Sequence, residues 1–286
     1  MGYESVRPSL KWSQYLKRAI GRRTDAVPAV SGDEDWLALG LEAMRVPDYE
    51  RALMCFDEAV NALPASHAAW YSRGLAFYNL GDDTAALESF TRASEYQPQS
   101  HLAWYGCGVT LAEMGRTAEA LEAFDRAIAL EPDSYLAWLA KGMSLIDQQR
   151  WEEAIPVLQE AIDRHQGATQ AWYGLGIAHL QAGRAAEALM AFERSVELQV
   201  DFDLAWYGKG LALLQASRVE EALEALTAAT TANPRCTLAW MRQAETLEQL
   251  GRREAARAAY EQVIQHTPAT EALYVQAQRQ LQRLRP

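Results

Sequence analysis

The 286-residue sequence predicts an all-α protein built from tandem pairs of antiparallel helices. Three observations predict it. Tryptophan recurs every 34 residues, at Trp36, Trp70, Trp104, Trp138, Trp172, Trp206 and Trp240, with Tyr274 in the next slot. Small residues recur at two further places in the same unit. A turn residue and a proline recur at two more. A fixed period of this length marks stacked supersecondary units, each burying its apolar face against the next.

With the tryptophan numbered position 4, the unit reads as follows. Position 8 is Gly40, Gly74, Gly108, Gly142, Gly176, Gly210 and Ala244, and position 20 is alanine from Ala52 to Ala256. These small residues let two helices approach closely. Position 24 is large, as Phe56, Phe90, Phe124, Leu158, Phe192, Leu226 and Tyr260, and position 27 is mostly alanine. Gly81, Gly115, Gly183 and Gly251 near position 15 separate the first helix from the second. Proline at position 32 (Pro64, Pro98, Pro132, Pro234 and Pro268) cannot continue the second helix, so the chain turns into the next unit.

These residues resemble the tetratricopeptide-repeat family, whose 34-residue pattern is Trp, Leu-Gly, an aromatic, Ala, Phe and Pro. The resemblance covers residues 33–270 as seven repeats. It implies a right-handed superhelical α-solenoid, with the first helix of each repeat lining a concave face. Three departures bear on local packing. Position 7, usually Leu, is Arg73, Lys141 and Lys209 in alternate repeats. Position 32 is Gln166 and Val200 in two repeats, and the aromatic slot at position 11 holds Ala43 and His179. Residues 271–286 form one extra helix, whose Gln276, Gln278, Gln280 and Gln282 supply the polar outer face that a terminal cap needs.

Composition excludes several function classes. The net charge of −11 disfavours nucleic acid as a partner. Three widely separated cysteines provide neither a disulfide framework nor a zinc pair. No apolar run approaches the ~20 residues that span a bilayer, and the N-terminus has no apolar signal region, which points to a cytoplasmic protein. The five histidines do not form a metal-ligand pattern. His67 and His101 share position 1 of neighbouring repeats, but stacked helices lie ~8–10 Å apart. No nucleophile elbow, phosphate loop, zinc-protease motif or dinucleotide fingerprint is present. The expectation is a chain with no enzymatic activity, cofactor or metal.

The first helices carry the candidate site. If the family's geometry applies, positions 5 and 9 face the groove. Here they are Leu37, Tyr71, Tyr105, Leu139, Tyr173 and Tyr207, with Leu75, Val109, Met143, Ile177 and Leu211. Leu102, Leu136, Leu204 and Leu238 join them from position 2, and Tyr78, Ile146, Leu180 and Leu214 from position 12. An apolar strip of this extent calls for a covering partner, unless curvature buries it between repeats. Repeats that clamp C-terminal carboxylates use Lys at position 5 and Asn at position 9, and repeats with an asparagine ladder use Asn at position 6, where this chain has Ala38, Ser72, Gly106, Ala140, Gly174, Gly208 and Arg242. The whole chain holds only Asn61, Asn79 and Asn233. The expected function is a scaffold, assembly factor or linker subunit that holds a helical or extended protein segment. The alternative is a regulatory or targeting subunit of a separate enzyme.

Residues 1–32 form a basic segment with six Lys and Arg against two acids. Within it Trp12, Tyr15, Leu16 and Ile20 share one face of a short helix, with Lys11, Lys17 and Arg18 on the other side. That helix is expected to dock. A partner protein ranks first as its surface, the first repeat second, and an anionic membrane touched by residues 9–23 last.

Overall fold

A computed structural model describes residues 35–284, and all fifteen regular elements among them are α-helices. The described chain divides into two compact units, one ending at Gln148 and the other beginning at Gln149. The first unit holds α1 (Trp36–Arg45), α2 (Tyr49–Ala62), α3 (His67–Leu80), α4 (Asp83–Tyr96), α5 (His101–Glu113), α6 (Thr117–Leu130) and α7 (Tyr135–Asp147). The second holds α8 (Trp151–Arg164), α9 (Thr169–Gln181), α10 (Ala185–Leu198), α11 (Asp203–Gln215), α12 (Val219–Ala232), α13 (Thr237–Gln249), α14 (Arg253–His266) and α15 (Ala272–Arg283). The basic segment with Trp12, Tyr15, Leu16 and Ile20 lies outside the described residues.

Local chemistry starts the helices. Ser66 and Ser100 accept the amides of Ala69 and Ala103 at the starts of α3 and α5. Asp48 and Asp82 do the same for α2 and α4. Later second helices replace this cap by an ion pair. Arg116, Arg150 and Arg218 reach Glu119, Glu153 and Glu221 in the first turn, at 2.6, 2.6 and 2.5 Å. Those carboxylates also complement the positive helix end. The pairs are exposed, so each contributes about 0–1 kcal/mol.

The turn inside each pair needs a left-handed residue. Gly81 and Gly115 in the first unit, and Gly183 and Gly251 in the second, have φ of 86°, 74°, 77° and 73°. Gln149 and Ser217 adopt the same conformation, at φ 59° and 60°, with a side chain that disfavours it.

Position 24 is the centre of the packing. All seven of its residues are fully buried, as are the alanines at position 20. In the first unit Phe90 is held between two glycines. A Cβ at Gly74, in the same pair, would stand 2.7 Å from its ring, and one at Gly106, in the next first helix, 2.8 Å. In the second unit Phe192 is held in the same way by Gly176 and Gly208. Position 6 is thus a second obligatory small position, which joins one pair of helices to the next.

The departures at position 7 have a structural reason. Arg73 donates to Asp57 at 2.7 Å, Lys141 pairs with Asp125 at 2.5 Å, and Lys209 pairs with Glu193 at 3.2 Å. Each acceptor lies 16 residues back, at position 25 of the preceding second helix. The same contact in the repeats between is neutral: Thr91 with Cys107, and Gln243 donating to Thr227 at 2.8 Å. The cations also lie over aromatic rings, with Arg73 4.7 Å from Phe77 and Lys209 5.4 Å from Trp206. The departures at position 32 are equally tolerated. The indole N–H of each position 4 tryptophan from the second repeat to the seventh (Trp70, Trp104, Trp138, Trp172, Trp206 and Trp240) donates to the carbonyl of position 32, at 2.8–3.0 Å. Gln166 and Val200 offer the same acceptor as proline.

His179 occupies the position 11 packing slot in α9. Its Nδ1 is buried and has no hydrogen-bond partner among the described residues, where the sequence suggests a satisfied core imidazole. Desolvation lowers its pKa, with Glu187 and Glu152 opposing and Arg184 adding to the shift. At the C-terminal end, Ala277 of α15 is buried, while Leu273, Leu281 and Leu284 pack on the last core cluster and Gln276, Gln278, Arg279 and Gln282 are exposed.

Three outcomes are expected. Gly106→Ala gains about 1 kcal/mol of helix propensity but meets the Phe90 ring, and overpacking costs about 1–3 kcal/mol. Chemical denaturation will therefore show net destabilisation, and a gain would refute the two-glycine clamp. Ser217→Gly relieves a left-handed strain of about 1–2 kcal/mol against a chain-entropy cost of about 0.5–1 kcal/mol. It will raise the unfolding midpoint modestly. His179→Leu tests the half-buried imidazole and its buried Nδ1. Its folded pKa is depressed, so its share of stability is present above the unfolded value of about 6.5 and is lost as pH falls. The Tm advantage of His179→Leu over the parent will grow between pH 8 and pH 5, and a pH-independent difference would contradict the assignment.

Candidate functional site

Positions 5 and 9 of the first helices are closer to the core than an open strip. In the first unit Leu75, Tyr105, Val109, Leu139 and Met143 are buried, whereas Leu37 and Tyr71 are half-buried. In the second unit Tyr173, Tyr207 and Leu211 are buried and Ile177 is half-buried. Tyr71, Tyr105 and Tyr173 lie against the position 24 rings of their own pairs. Tyr71 and Phe90 have ring centroids 5.6 Å apart, Tyr105 and Phe124 6.2 Å, and Tyr173 and Phe192 5.9 Å. These tilted pairs are of the kind that adds ~0.5–1.5 kcal/mol beyond burial. Burial also raises the pKa of Tyr173 and Tyr207, keeping both hydroxyls protonated.

Accessible apolar surface on the same helices comes from their other positions. Met44 and Leu102 are half-buried in the first unit, as are Leu180, Leu214 and Leu238 in the second. Leu136, Leu204, Tyr78 and Ile146 are buried. Sequence spacing puts all of these on one face, but cannot say which of them the neighbouring helix covers.

The apolar rows end in a charged cluster on α13 that sequence reasoning did not use. Arg242 takes position 6, where the other repeats carry Ala, Ser or Gly, and donates to Glu245 at 2.8 Å. Burial acts to lower its pKa, and Glu245 together with Tyr207 outweighs that and raises it. The Tyr260 hydroxyl donates to Glu248 at 2.7 Å. The signal was present in the sequence as three charges in slots that are small or apolar elsewhere.

Two clefts of the second unit lie between successive second helices. One, of about 320 Å³, is lined by Trp206, Lys209, Arg218, Glu193 and Glu221, whose charges are already paired with one another. The other, of about 410 Å³, is lined by Trp240, Leu247, Thr227, Ala255 and Ala258. Neither assembles a nucleophile and base. Among the described residues no group of three or more His, Cys, Asp or Glu side chains could hold a metal ion, and no helix is long and apolar enough to cross a membrane. Cys107 is buried, and burial pushes its thiol up to about 11, away from nucleophilic chemistry.

No curated protein matches the sequence. Several solved structures share the fold. A chain of the APC/C hetero-tetramer Cut9–Hcn1 is 17% identical with a TM-score of 0.67, over 87% of this chain and 52% of that one. This chain therefore spans about half the length of that relative. PilF of Pseudomonas aeruginosa is 20% identical with a TM-score of 0.65, over 75% of this chain and 97% of its own. YrrB, described as a TPR protein with an unusual peptide-binding site, is 23% identical with a TM-score of 0.55, over 68% of this chain and 100% of its own. The family model for the tetratricopeptide repeat matches residues 37–96, 84–135, 106–161, 139–203 and 207–272. With tandem helix pairs, a 34-residue period and that match over most of its length, the chain belongs to the tetratricopeptide-repeat family.

Proposed function

We propose that this chain is a non-catalytic scaffold, an assembly factor or linker subunit in the cytoplasm, whose first helices hold a helical or extended apolar segment of a partner protein. The observation that carries the reading is the row of half-buried apolar side chains on the first helices, Leu37, Tyr71 and Leu102 in one unit and Ile177, Leu180 and Leu214 in the other. Each stands over a fully packed core, which supplies the rigid backing that a binding surface needs. Proteins of this family are protein-interaction scaffolds, and the similar structures include one described by its peptide-binding site and one from a hetero-tetramer. The buried neighbours Leu75, Tyr105, Val109, Leu139, Met143, Tyr173, Tyr207 and Leu211 form the floor beneath the row in this reading.

The polar chemistry of the surface limits the partner. Position 6 is small in all repeats but the last, so the segment meets backbone and aliphatic surface there in place of a ladder of amide donors. An apolar segment is the natural match, with affinity carried by a few buried anchors.

The test uses half-buried residues, because truncating Tyr105 or Tyr173 would empty the core as well. Leu102→Lys and Leu180→Lys, made separately in the full chain, are expected to keep the parent thermal melt. Each should weaken the partner recovered from the native host at least tenfold, measured by titration once that partner is identified by mass spectrometry. Unchanged affinity in both variants would move the site away from the first helices.

A further inference from the structure

The first helix of every later repeat packs one face on the preceding second helix. That face is positions 3, 6, 7 and 10. Position 3 is Ala69, Ala103 and Ala137 in the first unit and Ala171, Ala205 and Ala239 in the second, each at most 1% exposed. Position 10 is Ala76, Thr110, Ser144, Ala178, Ala212 and Thr246, each at most 5% exposed. Positions 6 and 7 make the glycine and ion-pair contacts already described.

On α1 the same face has no covering helix among the described residues, and its chemistry differs. Position 3 is Asp35 and position 10 is Glu42, so two carboxylates replace Ala and Ala, Ser or Thr. Between them lie exposed Ala38 and Leu39, the latter 38% exposed, and Val46 at the helix end is 69% exposed. Asp35, Leu39, Glu42 and Val46 follow i, i+4, i+7, i+11 spacing and so form one stripe. Asp35 accepts the amide of Ala38 as a helix cap, which explains its own presence but not that of Glu42.

We propose that residues 10–20 of this same chain cover that stripe, taking the place of a preceding second helix. Their Trp12, Tyr15, Leu16 and Ile20 face meets Leu39 and Val46, and the surrounding lysines and arginines meet Asp35 and Glu42. Charge complementarity argues for this occupant. Residues 1–32 carry six basic and two acidic residues, while residues 33–66 carry eight acidic and two basic. The exposed Glu42 and the half-buried Asp35 suit Lys and Arg, whose stems lie along apolar surface while their heads reach polar groups. Chain length permits it as well. Fifteen residues, 21–35, join the segment to α1, and fully extended they reach about 50 Å, against about 15 Å for the length of α1 itself. A tethered segment docks at high effective concentration, so a modest apolar contact suffices. A second copy of the chain would instead bring its own acidic stripe against this one, and like charges would oppose it.

The test is hydrogen exchange with mass spectrometry on the full-length protein, with sedimentation velocity at the same concentration. The expected result is a monomer in which amides of residues 10–20 and of α1 exchange at least tenfold more slowly than in an unfolded chain. Leu16→Asp, which lies outside the repeats and leaves them folded, should abolish protection at 10–20 and reduce it in α1. Glu42→Lys should weaken protection at low salt, with less effect at high salt. Three results would overturn the proposal: free-chain exchange at 10–20 in the monomer, protection that appears only where the protein sediments as a dimer, or protection that requires added vesicles of phosphatidylserine.

Discussion

The structure depends on one contact made repeatedly: a large position 24 side chain held between small residues of two successive first helices. Phe90 between Gly74 and Gly106, and Phe192 between Gly176 and Gly208, show it in each unit. Full burial of such a ring contributes on the order of 1.5–3 kcal/mol, and the ring bridges two successive first helices. The glycine at position 8 sets the distance within a pair, and the small residue at position 6 sets the distance between pairs. Stability of such a stack is approximately a sum of unit and nearest-neighbour terms. Position 24 contributes to both terms, which is why a large aliphatic or aromatic residue occupies it in every repeat.

A second contact runs beside the first and varies more freely. Position 25 touches position 7 of the next repeat, as Asp57 with Arg73, Thr91 with Cys107, Asp125 with Lys141, Glu193 with Lys209 and Thr227 with Gln243. Charged and neutral pairs alternate. The cation stems are about one-fifth exposed while their carboxylates are about half exposed, so the pairs are screened and each is worth little alone. Their matching still matters. An Arg at position 7 facing a Thr, or a Cys facing an Asp, would leave a partly buried charge unpaired, which costs more than the pair returns. The alternation therefore fixes which repeat can follow which, by penalising exchange more than by rewarding the native order.

The fold was legible because its determinants are local in the repeat: Trp, Gly, Ala and Phe recur at fixed slots, and each slot has a steric role that residue size alone conveys. The departures were legible only as departures. Arg73 reads as a misfit in a leucine slot until Asp57, 16 residues back, is seen to face it. Gln166 and Val200 read as missing prolines, yet the structure uses only the carbonyl there, which every residue supplies. The candidate site was less legible. Tyr105 and Tyr71 occupy the same slot with the same residue type, but Tyr105 is 4% exposed and Tyr71 is half-buried. The difference comes from what stands on either side of each, which a periodic pattern does not encode. Ser217 and Gln149 were missed as left-handed turn residues because neither is the glycine that the position favours.

The position 24 clamp also constrains recognition. Because position 6 must be small wherever a bulky ring precedes it, no long polar side chain can stand there in the middle repeats. Before the last repeat, Leu226 at position 24 precedes Arg242 at position 6, the one long side chain in that slot, and Arg242 pairs with Glu245. Packing economy and surface chemistry are thus set by the same residue. Where position 24 is phenylalanine, the next first helix presents backbone and aliphatic surface. Where it is leucine followed by arginine, a fixed charge appears. The apolar rows of the second unit end at α13, and a segment lying along them in the proposed reading would meet the Arg242–Glu245 pair at that end, a feature suited to setting the direction in which the segment lies.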